Sequence, residues 1–293
     1  MQKITPFSWF NNNVEEAVNF YTSIFKNSKI ASMHRVGPAL PGEKGKVFSA
    51  TFQLADQQFY ALNGGPMYSF TPAISFFVNC ETQEEIDGLW GKLGEGGTVM
   101  MPLNKYPFSE KFGWLQDQFG ISWQLNLSSA KQKISPFLMF VKEQQGKAEE
   151  AMRFYTSLFQ HANILKIAHF ETGERGAVGT VKHGAFSLDG VEMMAMDSNM
   201  EHAFTFTPAI SFFVNCTSQD EVDFFWDKLS ESGKKDRCGW LVDKYGVSWQ
   251  IVPDTLGKLL YDKDPVRSKR VMDAMMKMNK LEIKGLQEAY DQQ

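Results

Sequence analysis

Phe70-Thr71-Pro72-Ala73-Ile74-Ser75-Phe76-Phe77-Val78-Asn79-Cys80 recurs letter for letter as Phe206-Thr207-Pro208-Ala209-Ile210-Ser211-Phe212-Phe213-Val214-Asn215-Cys216. The repetition extends outward from this stretch. Phe20-Tyr21-Thr22-Ser23-Ile24-Phe25 returns as Phe154-Tyr155-Thr156-Ser157-Leu158-Phe159. Gly113-Trp114-Leu115 through Ser122-Trp123-Gln124 returns as Gly239-Trp240-Leu241 through Ser248-Trp249-Gln250. A period of roughly 130 residues is the size of a domain, not of a solenoid repeat. The chain is therefore two copies of one unit, residues 1–128 and 133–253, joined by a short polar linker at 128–132 and followed by a helical tail at 254–293.

Within the first copy, Ile4–Phe10 reads as a buried strand. Val14, Ala17, Val18, Tyr21, Ile24 and Phe25 then follow at helical spacing, with Asn11, Asn12 and Asn13 as cap candidates. Strand-like runs follow at 29–36, 47–54 and 58–62, giving one β-α-β-β-β unit. The unit recurs from Ala73: a strand, a helix facing inward through Ile86, Leu89, Trp90 and Leu93, and strands at 99–103, 112–116 and 121–127. The second copy repeats the plan, with an insertion at 142–147 and nothing to match Thr98–Phe108, so one edge strand is shortened. The tail carries Leu256, Leu259 and Leu260, then Pro265 at a helix start, then Met272, Met275 and Met276. It reads as a clamp on the domain surface or as a Met-rich lid over a cavity.

Composition narrows the function classes. A chain of 293 residues with 43% hydrophobic content supports two packed cores, and 25 phenylalanines suggest cores or cavities walled with rings. A net charge of -4 gives no basic footprint for nucleic acid. No apolar run approaches the roughly 20 residues of a membrane helix, and the start lacks a signal-peptide pattern. Cys80 and Cys216 are repeat equivalents and Cys238 is unmatched, which argues against a disulfide framework and for a cytoplasmic location.

Three features together resemble the PhnB-like branch of the vicinal oxygen chelate superfamily, the glyoxalase/bleomycin-resistance fold. They are the paired β-α-β-β-β units, the helix with Glu15, Glu16, Ala17, Phe20 and Tyr21, and the closing segment with Asp117, Phe119, Gly120, Ile121, Ser122, Trp123 and Gln124. The second copy answers with Glu149, Glu150, Ala151, Phe154 and Tyr155, then Asp243, Tyr245, Gly246, Val247, Ser248, Trp249 and Gln250. The tail phrase Met275–Ile283 is also similar to tails in this branch. The resemblance implies an α+β fold of two tandem domains, each of paired modules forming a curved open barrel around a cavity of small-molecule size. It also implies pairing of the two copies as an internal pseudo-dimer. Relatives often carry the label 3-demethylubiquinone-9 3-methyltransferase. No glycine-rich strand-turn-helix for a nucleotide-like cofactor is visible, so no cofactor is expected.

The superfamily's metal enzymes place His, Glu or Gln on four inward strands. Those places fall here near Pro6, Ala61 or Leu62, Ala73 and Gln124, and near Pro136, Met194 or Ala195, Ala209 and Gln250. Only the glutamines can ligate, and a neutral amide alone is a poor ligand for zinc or nickel, so no metal is expected. Strand alternation sets Ser122 and Gln124 opposite Trp123, and Ser248 and Gln250 opposite Trp249. The resemblance turns the Ser/Gln face toward the cavity. There Gln124 and Gln250 either orient a polar ligand or pair with a neighbouring strand. Ser75 and Phe77, Ser211 and Phe213 share the facing wall, Ser8 and Phe10 join it from the first strand, and Met101 and Tyr106 lie on the rim. Asp117 and Asp243 read as turn braces, and Cys238 sits in a basic setting of the kind that lowers a thiol pKa. The expectation is a metal-independent small-molecule-binding protein whose first copy holds the working cavity. The alternative is an enzyme on a small or quinone-like substrate, by methyl transfer or by lyase or dioxygenase chemistry. A competing account of the site has the missing strand open the second cavity beneath the tail.

Overall fold

The computed structural model describes residues 2–37, 40, 42–129 and 133–292. The first copy forms β1 (Ile4–Phe10), α1 (Val14–Ile24), β2 (Lys29–Arg35), β3 (Val47–Leu54) and β4 (Gln57–Asn63). It continues with β5 (Ile74–Cys80), α2 (Gln83–Gly94), β6 (Thr98–Tyr106), β7 (Ser109–Gln116) and β8 (Ser122–Leu127). The second copy forms β9 (Lys133–Phe140), α3 (Ala148–Leu158), β10 (Ala162–His169), β11 (Val181–Leu188) and β12 (Val191–Asp197). Then come β13 (Ile210–Cys216), α4 (Gln219–Ser230), β14 (Lys234–Lys235), β15 (Trp240–Val242) and β16 (Ser248–Pro253). The tail folds as α5 (Thr255–Leu260), α6 (Pro265–Met275) and α7 (Ile283–Asp291). Of the linker, 130–132 lies outside the described residues.

The sheets do not follow the copies. Sheet A runs β14-β15-β16-β13-β1-β4-β3-β2, and sheet B runs β10-β11-β12-β9-β5-β8-β7-β6. Each joins one module from each copy across an antiparallel seam. Phe7 of β1 lies opposite Ser211 of β13, and Phe137 of β9 lies opposite Ser75 of β5. The two copies are thus interlocked by backbone hydrogen bonds, and both sheets stay open at their edges.

One face of each sheet lies under helices, where Trp123, Trp249, Tyr21 and Tyr155 are fully buried. Each such side chain contributes about 1.5–3 kcal/mol through burial. The start of α1 is held not by the asparagine run but by Asn63 at the end of β4, whose Oδ1 accepts from Val14 N at 3.1 Å. Asp197 does the same for Ala148 at the start of α3. The strand reaching back supplies the cap, which fixes helix to sheet as well as satisfying a free N–H.

The acidic turn before each closing strand is also structural. Asp117 accepts from Tyr21 Oη (2.6 Å), Trp123 Nε1 (2.7 Å), Phe119 N and Ile121 N. Asp243 accepts from Tyr155 Oη (2.7 Å), Trp249 Nε1 (2.8 Å), Tyr245 N and Val247 N. Gly120 and Gly246 complete these turns at φ 92° and 85°, where a side chain would be strained. All four donors on each carboxylate belong to the fold, which confirms the bracing role.

The tail forms an apolar cluster from Leu256, Leu260, Val271, Met272 and Leu286, together with Val252 of β16 and packed against Phe48 and Phe213 of sheet A. Its backbone also reaches the shortened edge: Cys238 N and Gly239 N donate to Met278 O (2.8 Å) and Asn279 O (2.7 Å). The tail thereby supplies partners that the missing part of the edge strand would otherwise provide.

Candidate functional site: the concave face of sheet A

Alternation fixes what faces away from the helices. On β16, Gln250 and Val252 line a cavity, while Trp249 and Ile251 enter the core. On β13, Phe213 and Asn215 line it, while Phe212 and Val214 are core. Gln250 Nε2 donates to Ser211 Oγ at 3.0 Å across these strands, and in sheet B Gln124 Nε2 donates to Ser75 Oγ at 2.8 Å. Of the two alternatives for these glutamines, pairing with the neighbouring strand is therefore observed at both, and Gln250 also borders the cavity.

Two adjoining cavities occupy the concave face, of about 600 and about 660 Å³. They share Phe48, Leu62, Cys238, Trp240, Leu260 and Met275. The inner one, so called for its place on the central strands, is walled by Phe7, Tyr60 and Phe213, carries the amides of Gln250 and Asn215, is roofed by Leu256 and Tyr261 of the tail, and is bordered also by Asp254 and Lys258. The outer one runs between Trp9, Tyr68 and the thioethers of Met67, Met272 and Met276, and opens past Glu43, Lys46, Asp236 and Arg237. Both are of a size that encloses a small organic molecule.

Tyr261 seats the roof. Its ring stacks on His34 with centroids 3.6 Å apart, and its hydroxyl meets Ser49 Oγ at 2.8 Å. Burial raises the Tyr261 pKa and lowers that of His34, so both rings are held neutral. The inner cavity thus combines aromatic surface and uncharged hydrogen-bonding groups with one acid and one base, Asp254 and Lys258.

The sequence candidates separate between the two sheets. Ser211, Phe213, Ser248 and Gln250 belong to sheet A, and Ser75, Phe77, Ser122, Gln124, Met101 and Tyr106 to sheet B. In sheet B, Phe77 stacks on Phe137 (6.2 Å), and Tyr106 stacks on Phe108 (5.6 Å). Ser8 and Phe10 do not join the lining. Phe10 packs into the helix-side core, edge-on to Phe70, and it is Phe7 and Trp9 that border the cavities. The first strand is apolar on both faces, so alternation did not choose between them. The two cavities are not confined to one copy. The chamber is built from β1, β3 and β4 of one copy, β13, β15 and β16 of the other, and the tail.

Cys238 borders both cavities, but its setting does not activate it. Burial raises the thiol pKa, Asp236 raises it further, and Arg237 only partly opposes them. Burial likewise pushes Cys80 and Cys216 up to about 12.

The residues do not fit a catalytic metal. The inward side chains of the central strands in sheet A, among them Phe7, Tyr60, Phe213 and Gln250, offer no imidazole or carboxylate, and His34 and Asp254 border the same cavity only from the edge strand and the tail. Among the described residues, no three His, Cys, Asp or Glu side chains converge to hold a metal ion. Nor do they fit a nucleotide-like methyl donor. The strand-to-helix junctions after β1, β5, β9 and β13 carry Asn11–Asn13, Glu81–Thr82, Val141–Lys147 and Thr217–Ser218, with the single glycine Gly146 among them, so none is glycine-rich.

No helix among the described residues is long and apolar enough to cross a membrane. A family model described as 3-demethylubiquinone-9 3-methyltransferase matches residues 2–126 and again 132–252. The PhnB protein of Bacillus cereus is 50% identical over 43% of this chain and 100% of its own, with a TM-score of 0.42. Glyoxalase I from Zea mays is 10% identical over 84% of this chain and 92% of its own, at TM-score 0.52. A single-residue variant of that maize enzyme is 12% identical over 86% and 95%, again at TM-score 0.52. These two show a common fold. No curated protein sequence matches. With the family model spanning both copies on this fold, the chain belongs to the 3-demethylubiquinone-9 3-methyltransferase family.

Proposed function

We propose that the protein binds an uncharged, largely apolar small molecule in the chamber of sheet A, without a transition metal. The observation that carries this reading is the placement of Gln250. Its amide is oriented by Ser211 and set among Phe7, Tyr60 and Phe213 under the tail. Such a wall favours apolar surface and orients one polar group by hydrogen bonding. The inner cavity presents mainly neutral rings, apolar side chains and amides, and its one acid and one base, Asp254 and Lys258, favour neither sign. The charged side chains of the outer cavity stand at its mouth as two acids and two bases, so they favour neither sign. No methyl transfer, lyase or dioxygenase step is assigned, because the residues present supply neither a metal set nor a methyl-donor site.

The test is a native mass spectrum of gently purified protein, followed by calorimetric titration with 4-propylphenol before and after EDTA treatment. Saturable binding that EDTA leaves unchanged is the expected result. Near one equivalent of zinc, nickel, manganese or iron, or binding lost on chelation, would overturn metal independence. No saturable binding and no co-purified small molecule would overturn the reading itself.

A further inference from the structure

Trp114 of β7 and Trp240 of β15 are repeat equivalents, and each lies opposite the glutamine of its closing strand, Gln124 or Gln250. In sheet B the Trp114 indole Nε1 donates to Ser122 Oγ at 2.8 Å. Sheet A has the same register, with Val242 opposite Ser248 as Gln116 is opposite Ser122. The bond is nevertheless not made. Trp240 instead meets Phe7 edge-on at 5.5 Å and Trp9 at 5.8 Å. Ser248 is left 2% exposed, with its Oγ unpartnered among the described residues. Trp9, by contrast, is pinned by its own indole N–H to Gly65 O at 2.9 Å.

Trp240 borders both cavities, whereas Ser248 lines neither. A buried hydroxyl without a partner is unfavourable, and edge-to-face ring contacts are favourable by a similar amount. The ring therefore has two positions of comparable free energy: one against Phe7 and Trp9, the other on Ser248 as its counterpart demonstrates. We propose that Trp240 is the partition between the two cavities and the residue that sets ligand length. Against Phe7 and Trp9 it stands between the cavities and confines a short ligand to the inner one. Bonded to Ser248 it joins the cavities for a ligand long enough to span both. The proposal rests on the small-molecule reading above.

The experiment titrates 4-ethylphenol and 4-nonylphenol into wild type, Ser248→Ala and the double variant Ser248→Ala/Trp240→Ala. The indole N–H of Trp240 is followed by nitrogen-15 NMR and assigned by its loss in the double variant. Ser248→Ala removes the anchor of the open position. Nonylphenol binding is then expected to weaken at least about five-fold, the worth of one hydrogen bond, while ethylphenol binding holds. The double variant, having no partition, recovers nonylphenol binding. In wild type the Trp240 indole resonance shifts with nonylphenol and not with ethylphenol. Binding of both phenols with equal or no response to Ser248→Ala overturns the partition and leaves the chamber reading intact. Binding of neither phenol to wild type overturns the chamber reading, and the partition with it.

Discussion

Tyr261 of the tail lies flat on His34 of β2, ring centroids 3.6 Å apart and planes 7° apart. The contact joins a helix end to an edge strand far away in the sequence, and Ser49 holds the phenol from the adjacent strand. Replacing Tyr261 by Ala is expected to destabilise the docked tail by on the order of 3 kcal/mol, as for other buried aromatic truncations. Hydrogen exchange should quicken in α5 and α6 and stay unchanged in β5 and β9. Equal acceleration in both sheets would show that the tail is not a separately opening unit.

The same contact is pH-sensitive. Burial lowers the His34 pKa below its usual 6.5, so the folded state favours the neutral ring and the opened state takes up a proton more readily. Tail docking is therefore fully stabilised above pH 6.5 and weakens as the pH falls through the folded pKa. Exchange of α5 amides should rise on acidification in wild type and stay flat in His34→Gln. A flat wild-type profile would remove His34 from this role.

Asp243 works in the opposite sense. Burial pushes its pKa up to about 6, only partly offset by the hydrogen bonds from Tyr155, Trp249, Val247 and Tyr245. A carboxyl raised in the folded state contributes most below its unfolded pKa, so its contribution falls as the pH rises from about 4 to about 6. The loss is on the order of 3 kcal/mol at 1.36 kcal/mol per pH unit. Asp243→Asn should remove that share of the pH dependence, read by urea unfolding at pH 4 and pH 7. Parallel pH profiles for the two proteins would contradict it.

Gln250→Leu and Gln124→Leu separate the two concave faces. Gln250 borders the chamber, so Gln250→Leu is expected to weaken 4-propylphenol at least ten-fold, on the order of a buried hydrogen bond plus the unpaired Ser211 left behind. Gln124→Leu should change it less than two-fold, within the spread of remote substitutions. The reverse ranking would move the site to sheet B.

Residues 1–129 alone would leave β1 and β5 without their seam partners β13 and β9. Such apolar edges invite pairing with another chain. The separated fragment is expected to self-associate, and equimolar fragment 133–293 to convert it to a one-to-one complex in sedimentation velocity. A stable monomer of either fragment at high concentration would be incompatible with the seams.

The repeat, the helix spacing and the alternation at Ser122–Gln124 were legible because each rests on local periodicity. The bracing role of Asp117 followed from its place before a glycine turn. Module pairing was not legible, because Phe70–Cys80 and Phe206–Cys216 are identical and offer β1 the same edge chemistry. Linker length held the one usable signal. Five residues span at most about 17 Å, which obliges β9 to begin near the end of β8 and hence in its sheet. The face of β1 was hidden because Phe7 and Trp9 are as apolar as Ile4 and Phe10. Tyr261 was missed because it lies in the tail, outside the repeat, and its partners, His34 and Ser49, come from strands of the first copy that share no sequence pattern with it.

The exchange of modules frees this chain from a constraint that binds symmetric pairs. Two identical chains related by a twofold axis must present two identical sites, and any alteration appears in both. Here the shortened strand β14 and the tail fall on the same sheet, while sheet B keeps the full β6. An alteration in β13–β16 reaches only one concave face, and one in β5–β8 only the other. Like halves within a single polypeptide can therefore carry unlike sites, one open to specialisation while the other preserves the interlock.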